Sequence, residues 1–234
     1  MGMIEPEGEI LRIESDWAVE KIIESDSVIL AYPTQFSNVP FMVRDFIIRN
    51  SFIWKGKEIL CMTTMGAFSG DGAGCSARLL KKYGAKIIGG LHVRMPDAVC
   101  DSRLLKKTLE ENKSIVKEAD RKIETVARRI LDDGKYPQEG LSFASHIMGL
   151  FGQRLWFYGK TAEYSDKLRI SDACTGCGAC VKNCPMRNLA LLDGKAAAGN
   201  KCAMCYRCIS HCPRQAITLL GKEVVEQCRF DRYC

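Results

Sequence analysis

Eight cysteines stand in two runs of the same spacing. The first is Cys174-Thr-Gly-Cys177-Gly-Ala-Cys180-Val-Lys-Asn-Cys184-Pro185, and the second is Cys202-Ala-Met-Cys205-Tyr-Arg-Cys208-Ile-Ser-His-Cys212-Pro213. Each reads C-x2-C-x2-C-x3-C-P, a spacing suited to thiolate ligation of iron–sulfur clusters. Three thiolates set two residues apart wrap one face of an iron–sulfur cubane. The fourth is offset by three residues, precedes a proline, and turns to the other cluster. The expected ligand sets are therefore crossed: Cys174, Cys177, Cys180 and Cys212 for one [4Fe–4S] cluster, and Cys202, Cys205, Cys208 and Cys184 for the other. A disulfide framework is the first competing reading, but it needs an oxidising compartment. The chain reads as one without a signal peptide, so a reducing cytoplasm is expected. Zinc is the second, but zinc sites usually bring cysteines as two separated pairs.

The two runs belong to an internal repeat of 28 residues, in which Cys174 maps to Cys202 and Cys184 to Cys212. Past the cysteines, Leu189-Ala-Leu-Leu192 maps to Ile217-Thr-Leu-Leu220. Asp193-Gly194 is a hairpin turn signal after the first, and Gly221-Lys222 holds the matching place in the second. Each half is expected to be a cysteine-bearing loop, a short helix and a strand, related to the other by pseudo-twofold symmetry. So small a domain has little apolar core, and bound clusters would supply much of its folding free energy. The other five cysteines, Cys61, Cys75, Cys100, Cys228 and Cys234, show no ligand spacing. They read as core or surface thiols, Cys228 and Cys234 the more exposed.

The chain of 234 residues has room for two small domains. It contains no apolar run long enough to span a membrane. Its formal charge of +6 invites a nucleic-acid reading. Residues 171–234 carry nine Lys/Arg and five Asp/Glu, a balance of +4. A [4Fe–4S] core with four thiolates carries about −2, so two clusters would bring the whole chain to roughly +2. The basic excess thus offsets cluster charge. With no Lys/Arg stripe interleaved with aromatics, nucleic-acid binding is not expected.

The elements ahead of the cysteines alternate between strand and helix. Gly8–Glu14 reads as a short strand, and Trp17–Ser25 as a helix capped by Asp16 or Ser15. Ser27–Tyr32, Lys57–Thr64 and Ala85–Val93 are short apolar runs that read as buried strands. Helices are expected from Phe41 to Ile48 and from Cys75 to Tyr83. One long charged helix is expected over 102–133, with a break near Asn112–Ser114 and an end at Gly134. Strands alternating with helices imply an α/β fold with a parallel sheet covered on both faces. The loops 33–40 and 65–74 both follow buried strands and so lie on the rim where such sheets bind ligands. Gly70-Asp-Gly72-Ala-Gly74 is a poor dinucleotide fingerprint, because the spacing is wrong and Asp71 would repel a pyrophosphate.

Taken together, residues 20–220 resemble a family of flavodoxin-like domains fused to a C-terminal bacterial-type two-cluster ferredoxin, found mainly in anaerobic bacteria and archaea. Tyr32-Pro33 through Pro40, with Val43–Ile47 behind it, is similar to the family's first flavin-flanking loop. Thr63-Thr64 and the stretch to Gly74 is similar to the second. The resemblance implies a flavodoxin-like sheet and places Thr34, Gln35, Phe36, Ser37, Thr64, Gly66, Ala67 and Phe68 around an FMN isoalloxazine ring. The chain departs from the family at its start. Flavodoxins open with a central strand and a hydroxyl-rich phosphate loop, Ser/Thr-x-Thr-Gly-x-Ser/Thr, and neither is present. Gly8–Glu14 corresponds to the family's second strand. Without the loop, no pocket of hydroxyls and helix N-terminal N–H groups holds the FMN phosphate. Either the protein begins upstream of Met1 or its first βα unit has been lost. The former is expected, since removing a central strand strips its neighbours of backbone partners.

The expected organisation is a flavodoxin-like domain over 1–134, a linker over 135–170, and a two-cluster ferredoxin domain over 171–234. Within the linker, Leu141–Tyr158 is apolar and aromatic and reads as a helix packed between the domains, with partner docking as the other reading. His92, His146 and His211 read as structural or solvated. Electron transfer among a redox partner protein, two [4Fe–4S] clusters and FMN is the expected function. A flavin-dependent reductase of a small molecule and a cluster-binding interaction module are the alternatives. No acid–base constellation marks a catalytic residue.

Overall fold

The computed structural model describes residues 8–157 and 159–234, with the side chains of Phe157, Thr161, Ala162 and Ser165 excepted. The chain divides into two compact units. One comprises the residues up to Met95 and Lys117–Trp156; the other comprises Pro96–Val116 and Phe157–Cys234. The boundaries differ from those expected: residues 96–116 belong with the cysteine runs, and most of the linker belongs with the sheet.

The first unit runs through α1 (Ala18–Glu24), β1 (Ser27–Pro33), α2 (Phe41–Arg49), β2 (Glu58–Met65), α3 (Gly72–Lys82) and β3 (Lys86–Arg94). The strands are rich in Val, Ile and Leu and pair in parallel in the order β1-β2-β3. Parallel neighbours need a crossover, and α2 and α3 supply the two crossovers. Successive side chains of a strand point to opposite faces. Leu30, Tyr32, Ile59 and Cys61 pack with Val43 and Ile47 of α2 and Ala77 and Leu80 of α3. Met62, Leu91 and Val93 face the other way, toward Ala119, Ile123 and Val126 of α4 (Leu109–Asp133). The sheet is therefore covered on both faces, as expected, and its three strands are contiguous.

Four expectations need correction. Gly8–Glu14 is not a strand: it forms irregular chain and a turn, with Ile10 76% exposed. Alternation of side chains cannot hold a strand without a neighbour for its N–H and C=O groups, and among the described residues β1 pairs with β2 alone. The first helix begins at Ala18 behind Trp17, with no side-chain cap; Ser15 Oγ instead accepts from Trp17 N–H at 3.4 Å. Helix α3 starts at Gly72, three residues before the expected Cys75. The break in the 102–133 helix comes early: a 3-10 turn covers Arg103–Leu105, and α4 starts at Leu109. Thr108 sets that start. Its N–H donates to Glu111 Oε2 at 2.8 Å, and Glu111 N–H donates back to Thr108 Oγ1 at 3.2 Å, a reciprocal capping box.

Beyond α4, α5 (Phe143–Gly149) continues through a π turn, Leu150–Arg154, into α6 (Leu155–Phe157). Ser142 Oγ caps α5 by accepting from Ser145 N–H. The segment is helical, as expected, and Tyr158 lies outside the described residues. No helix among the described residues is long and apolar enough to cross a membrane.

The second unit contains α7 (Lys160–Ser165), β4 (Arg169–Ile170), α8 (Ala179–Asn183), β5 (Leu189–Leu192), β6 (Lys195–Ala198), α9 (Arg207–Ser210) and β7 (Ile217–Thr218). β5 and β6 form an antiparallel hairpin closed by Asp193 and Gly194, with φ of 49° and 75°. That conformation is the turn which matches strand twist. β4 and β7 form the second antiparallel pair. Each cysteine run thus contains a short helix and is followed by a strand.

Candidate metal centre

The 28-residue repeat is visible in the backbone. Gly176 and Gly178 have φ of 66° and 75°, and Met204 and Tyr206, their counterparts, have 52° and 59°. Arg187 and Gln215, another equivalent pair, both have 49°. These left-handed residues turn the chain so that its N–H groups face sulfur. Asn188 N–H donates to Cys184 Sγ at 3.2 Å, and its counterpart Ala216 N–H donates to Cys212 Sγ at 3.3 Å. Met204 N–H donates to Cys202 Sγ at 3.4 Å, and Ala196 N–H donates to Cys174 Sγ at 3.4 Å.

Two cavities result. Cys174, Cys177 and Cys180 line one, together with Cys212 and Pro213 of the other run. Cys202, Cys205 and Cys208 line the second, together with Cys184 and Pro185. Counting their open mouths, the volumes are about 330 and about 370 Å³. A water molecule occupies only ~30 Å³ of liquid. Leu191, Ala196 and Ile217 add apolar walls to the first cavity; Leu168, Leu189, Ile209 and Leu219 add them to the second.

The thiols respond to these surroundings in different ways. The Ala196 N–H, and after it the Gly176 N–H, draws Cys174 below the ordinary thiol value. Burial pushes Cys180, Cys202 and Cys205 up and Cys208 far up. A bare thiolate is costly at those positions, and a bound metal would supply compensating positive charge. Four thiols around an apolar cavity, with N–H donors aimed at sulfur, fit a [4Fe–4S] group. Among the described residues, no three His, Cys, Asp or Glu side chains converge as the ligands of one ion do.

The second cavity has a support that sequence reasoning missed. Asp101 is buried; its Oδ1 accepts from Tyr206 Oη at 3.0 Å, and its Oδ2 accepts from Leu219 N–H at 2.6 Å and Leu220 N–H at 2.9 Å. Burial, then the Asp101 charge, raises the Tyr206 phenol well above its usual range. Tyr206 stays protonated and donates. Gln227 Nε2 donates to the carbonyls of Ile209 and Cys212 at 3.0 and 2.7 Å. His211 is exposed, and its Nδ1 lies 3.0 Å from Arg207 O.

The positions expected around FMN lie on the carboxyl rim of the sheet in the first unit. Thr34 N–H and Oγ1 both donate to Thr64 O. Gln35 and Asn38 bridge a tight turn whose centre, Phe36 and Ser37, has φ of 50° and 55°. Ser37 is buried and donates to Gln153 Oε1 at 2.7 Å. Gly66 and Ala67 follow β2 in a bend, and Phe68 lies beside Gly152. The π-turn segment is therefore packed on this rim. Its anchor is Asp71, fully buried, whose carboxylate accepts from Arg78 at 2.6 Å and Arg154 at 2.5 Å and lies 2.9 Å from His146 Nδ1. Far from facing a pyrophosphate, Asp71 is internal, and His146 is structural, as read. Gly70, with φ of 56°, and Gly149 bring the two backbones into contact, where a Cβ on either would collide. His92 is buried and accepts from Ala73 N–H at 3.3 Å.

Residues 166–213, spanning both cysteine runs, match the family model of the 4Fe-4S dicluster domain. No curated protein matches the chain. The C-terminal part is thus similar to ferredoxins and carries the signature of 4Fe–4S cluster binding.

Proposed function

We propose that the chain is an electron-transfer protein holding two [4Fe–4S] clusters, one on Cys174, Cys177, Cys180 and Cys212 and the other on Cys202, Cys205, Cys208 and Cys184. One observation carries this reading: each cavity is closed by three thiols of one run and the fourth thiol of the other. When bound, such a cluster accepts and returns single electrons. The chain's own part is to bury the group among apolar side chains and to aim N–H donors at sulfur. Donors at Cys174 and Cys212 serve the first cavity, and donors at Cys202 and Cys184 serve the second. Hydrogen bonds to sulfur disperse negative charge and raise the potential.

The test is anaerobic reconstitution followed by iron and sulfide analysis and low-temperature EPR. About eight iron and eight sulfide per chain are expected, as two four-iron cubanes require. Zinc retained in place of iron would overturn the reading. Cys184→Ser should remove the EPR signal of the cluster on Cys202, Cys205 and Cys208 and leave the other. Loss of the other signal instead refutes the crossed ligation.

An FMN at the rim is the finer form of this reading. Ser37 is engaged with Gln153, and Phe68 packs by Gly152. Fluorescence titration with FMN tests that part: saturable quenching supports a flavin partner, and its absence removes FMN from the reading.

A further inference from the structure

Cys100 and Cys228 stand outside both runs and line neither cavity. Cys100 is fully buried, whereas Cys228 reaches solvent in part. The backbone brings them together: Val225 N–H and Glu226 N–H both donate to Cys100 O, at 2.9 and 3.1 Å. Both side chains pack in the same apolar cluster. Their other neighbours differ. Lys106 Nζ lies 2.7 Å from Cys228 Sγ, and Ser210 Oγ lies 3.1 Å from Cys100 Sγ. The Asp97 carbonyl faces Cys228 Sγ at 3.1 Å, and the Ala98 carbonyl faces Cys100 Sγ at 3.3 Å. Cys228, expected among the more exposed thiols, is the half-covered outer member of a pair with an ammonium group beside it. A cation beside a partly accessible sulfur, with a second sulfur behind, is the arrangement that thiol–disulfide exchange requires.

We propose that Cys100 and Cys228 form a dithiol–disulfide couple that reacts with low-molecular-weight disulfides, Cys228 attacking and Cys100 resolving. The Cys228 sulfur gives its proton to solvent and attacks one sulfur of the incoming disulfide RSSR. The S–S bond of RSSR breaks, a mixed Cys228–SR disulfide forms, and RS⁻ leaves and takes up a proton. The Cys100 sulfur then gives up its proton and attacks the Cys228 sulfur. The Cys100–Cys228 bond forms, and the second RS⁻ leaves and is protonated. Two protein thiols lose two electrons and two protons, and one RSSR becomes two RSH. Lys106 stabilises the charge on the attacking sulfur, and Ser210 donates to the resolving one.

The test uses the whole iron-loaded chain, held under argon at a series of ratios of reduced to oxidised glutathione. Samples are quenched in acid, alkylated, digested and read by mass spectrometry. A species joining the Cys100 and Cys228 peptides, lighter than their sum by two hydrogens, is expected. It should grow tenfold relative to the dithiol for each tenfold rise in oxidised glutathione over the square of reduced glutathione. If both residues stay alkylated at every ratio, or if Cys228 pairs with Cys234 instead, the proposal fails. In Cys100→Ser, a stable glutathione adduct on Cys228 is expected; Cys228 left unmodified overturns the order of attack. Lys106→Gln should slow iodoacetamide labelling of native Cys228 at least threefold with iron content unchanged. An unchanged rate removes Lys106 from its role.

Discussion

Asp101 satisfies three donors that the second cysteine run and the strand after it leave open: the Tyr206 phenol and the N–H groups of Leu219 and Leu220. The first run needs no such support at its equivalent position, because Gly178 takes the left-handed conformation without a side chain. Tyr206 holds that conformation against its Cβ, and its phenol is tied to a carboxylate 105 residues earlier in the chain. Asp101→Asn replaces one acceptor oxygen by an amide and removes the charge from hydrogen bonds with buried donors. A loss of about 2–3 kcal/mol is expected. It is read as a lower denaturant midpoint for bleaching of the visible iron–sulfur absorbance under argon, and an unshifted midpoint would show that Asp101 is a bystander. Tyr206→Phe loses one bond and should cost about 1 kcal/mol in the same assay. The cysteines were legible because their spacing is local. Asp101 was not, because nothing near it in sequence shows that Tyr206 will arrive beside it.

At the scale of elements, the strands were readable to within a residue or two because a short apolar run flanked by breakers has few other uses. Gly8–Glu14 failed because alternation gives a pattern but not a partner. Helix α3 was read as starting late because Gly72 and Gly74 are weak helix formers. They are nonetheless inside it, where neighbouring chain approaches too closely for a side chain. The π-turn segment was legible as a helix, but its seat on the sheet's rim depends on Asp71, which looked like a loop residue. Asp71→Asn leaves Arg78, Arg154 and His146 sharing a neutral partner at a fully buried position. Removing half of a buried ion pair costs about 3–5 kcal/mol. Faster limited proteolysis within 143–157 is the expected result, and an unchanged digestion rate would count against the anchor. His92 on β3 sets a pH dependence. Burial, its largest cause, lowers its pKa below 6.5. The unfolded chain therefore takes up a proton at a higher pH than the native one. The contribution is complete above about 6.5 and is lost as the pH falls from there through the lower native value. His92→Gln should flatten the fall in melting temperature between about pH 7 and pH 5; parallel slopes for variant and parent contradict it.

For the molecule as a whole, cutting the chain where its composition changes separates parts that fold together. Residues 171–234 expressed alone lack Asp101, so they should retain iron less well and unfold at lower denaturant than the full chain. Equal midpoints would show that Pro96–Val116 adds nothing. Charge supplies a second whole-chain prediction. The formal +6 of the apo sequence falls by about four when two clusters and their thiolates are in place. Anaerobic isoelectric focusing should place the loaded protein well below the apo protein, and coincident bands would argue against two clusters. The interleaving of the two runs also has a consequence in time. Synthesis proceeds from the N-terminus, so Cys174, Cys177 and Cys180 emerge early, but their cavity stays without its fourth wall until Cys212 has been made. By then every wall of the second cavity that comes from a cysteine is already available. The half that is translated first is therefore the half that is finished last, and a nascent chain has no moment at which one half of the repeat is complete on its own.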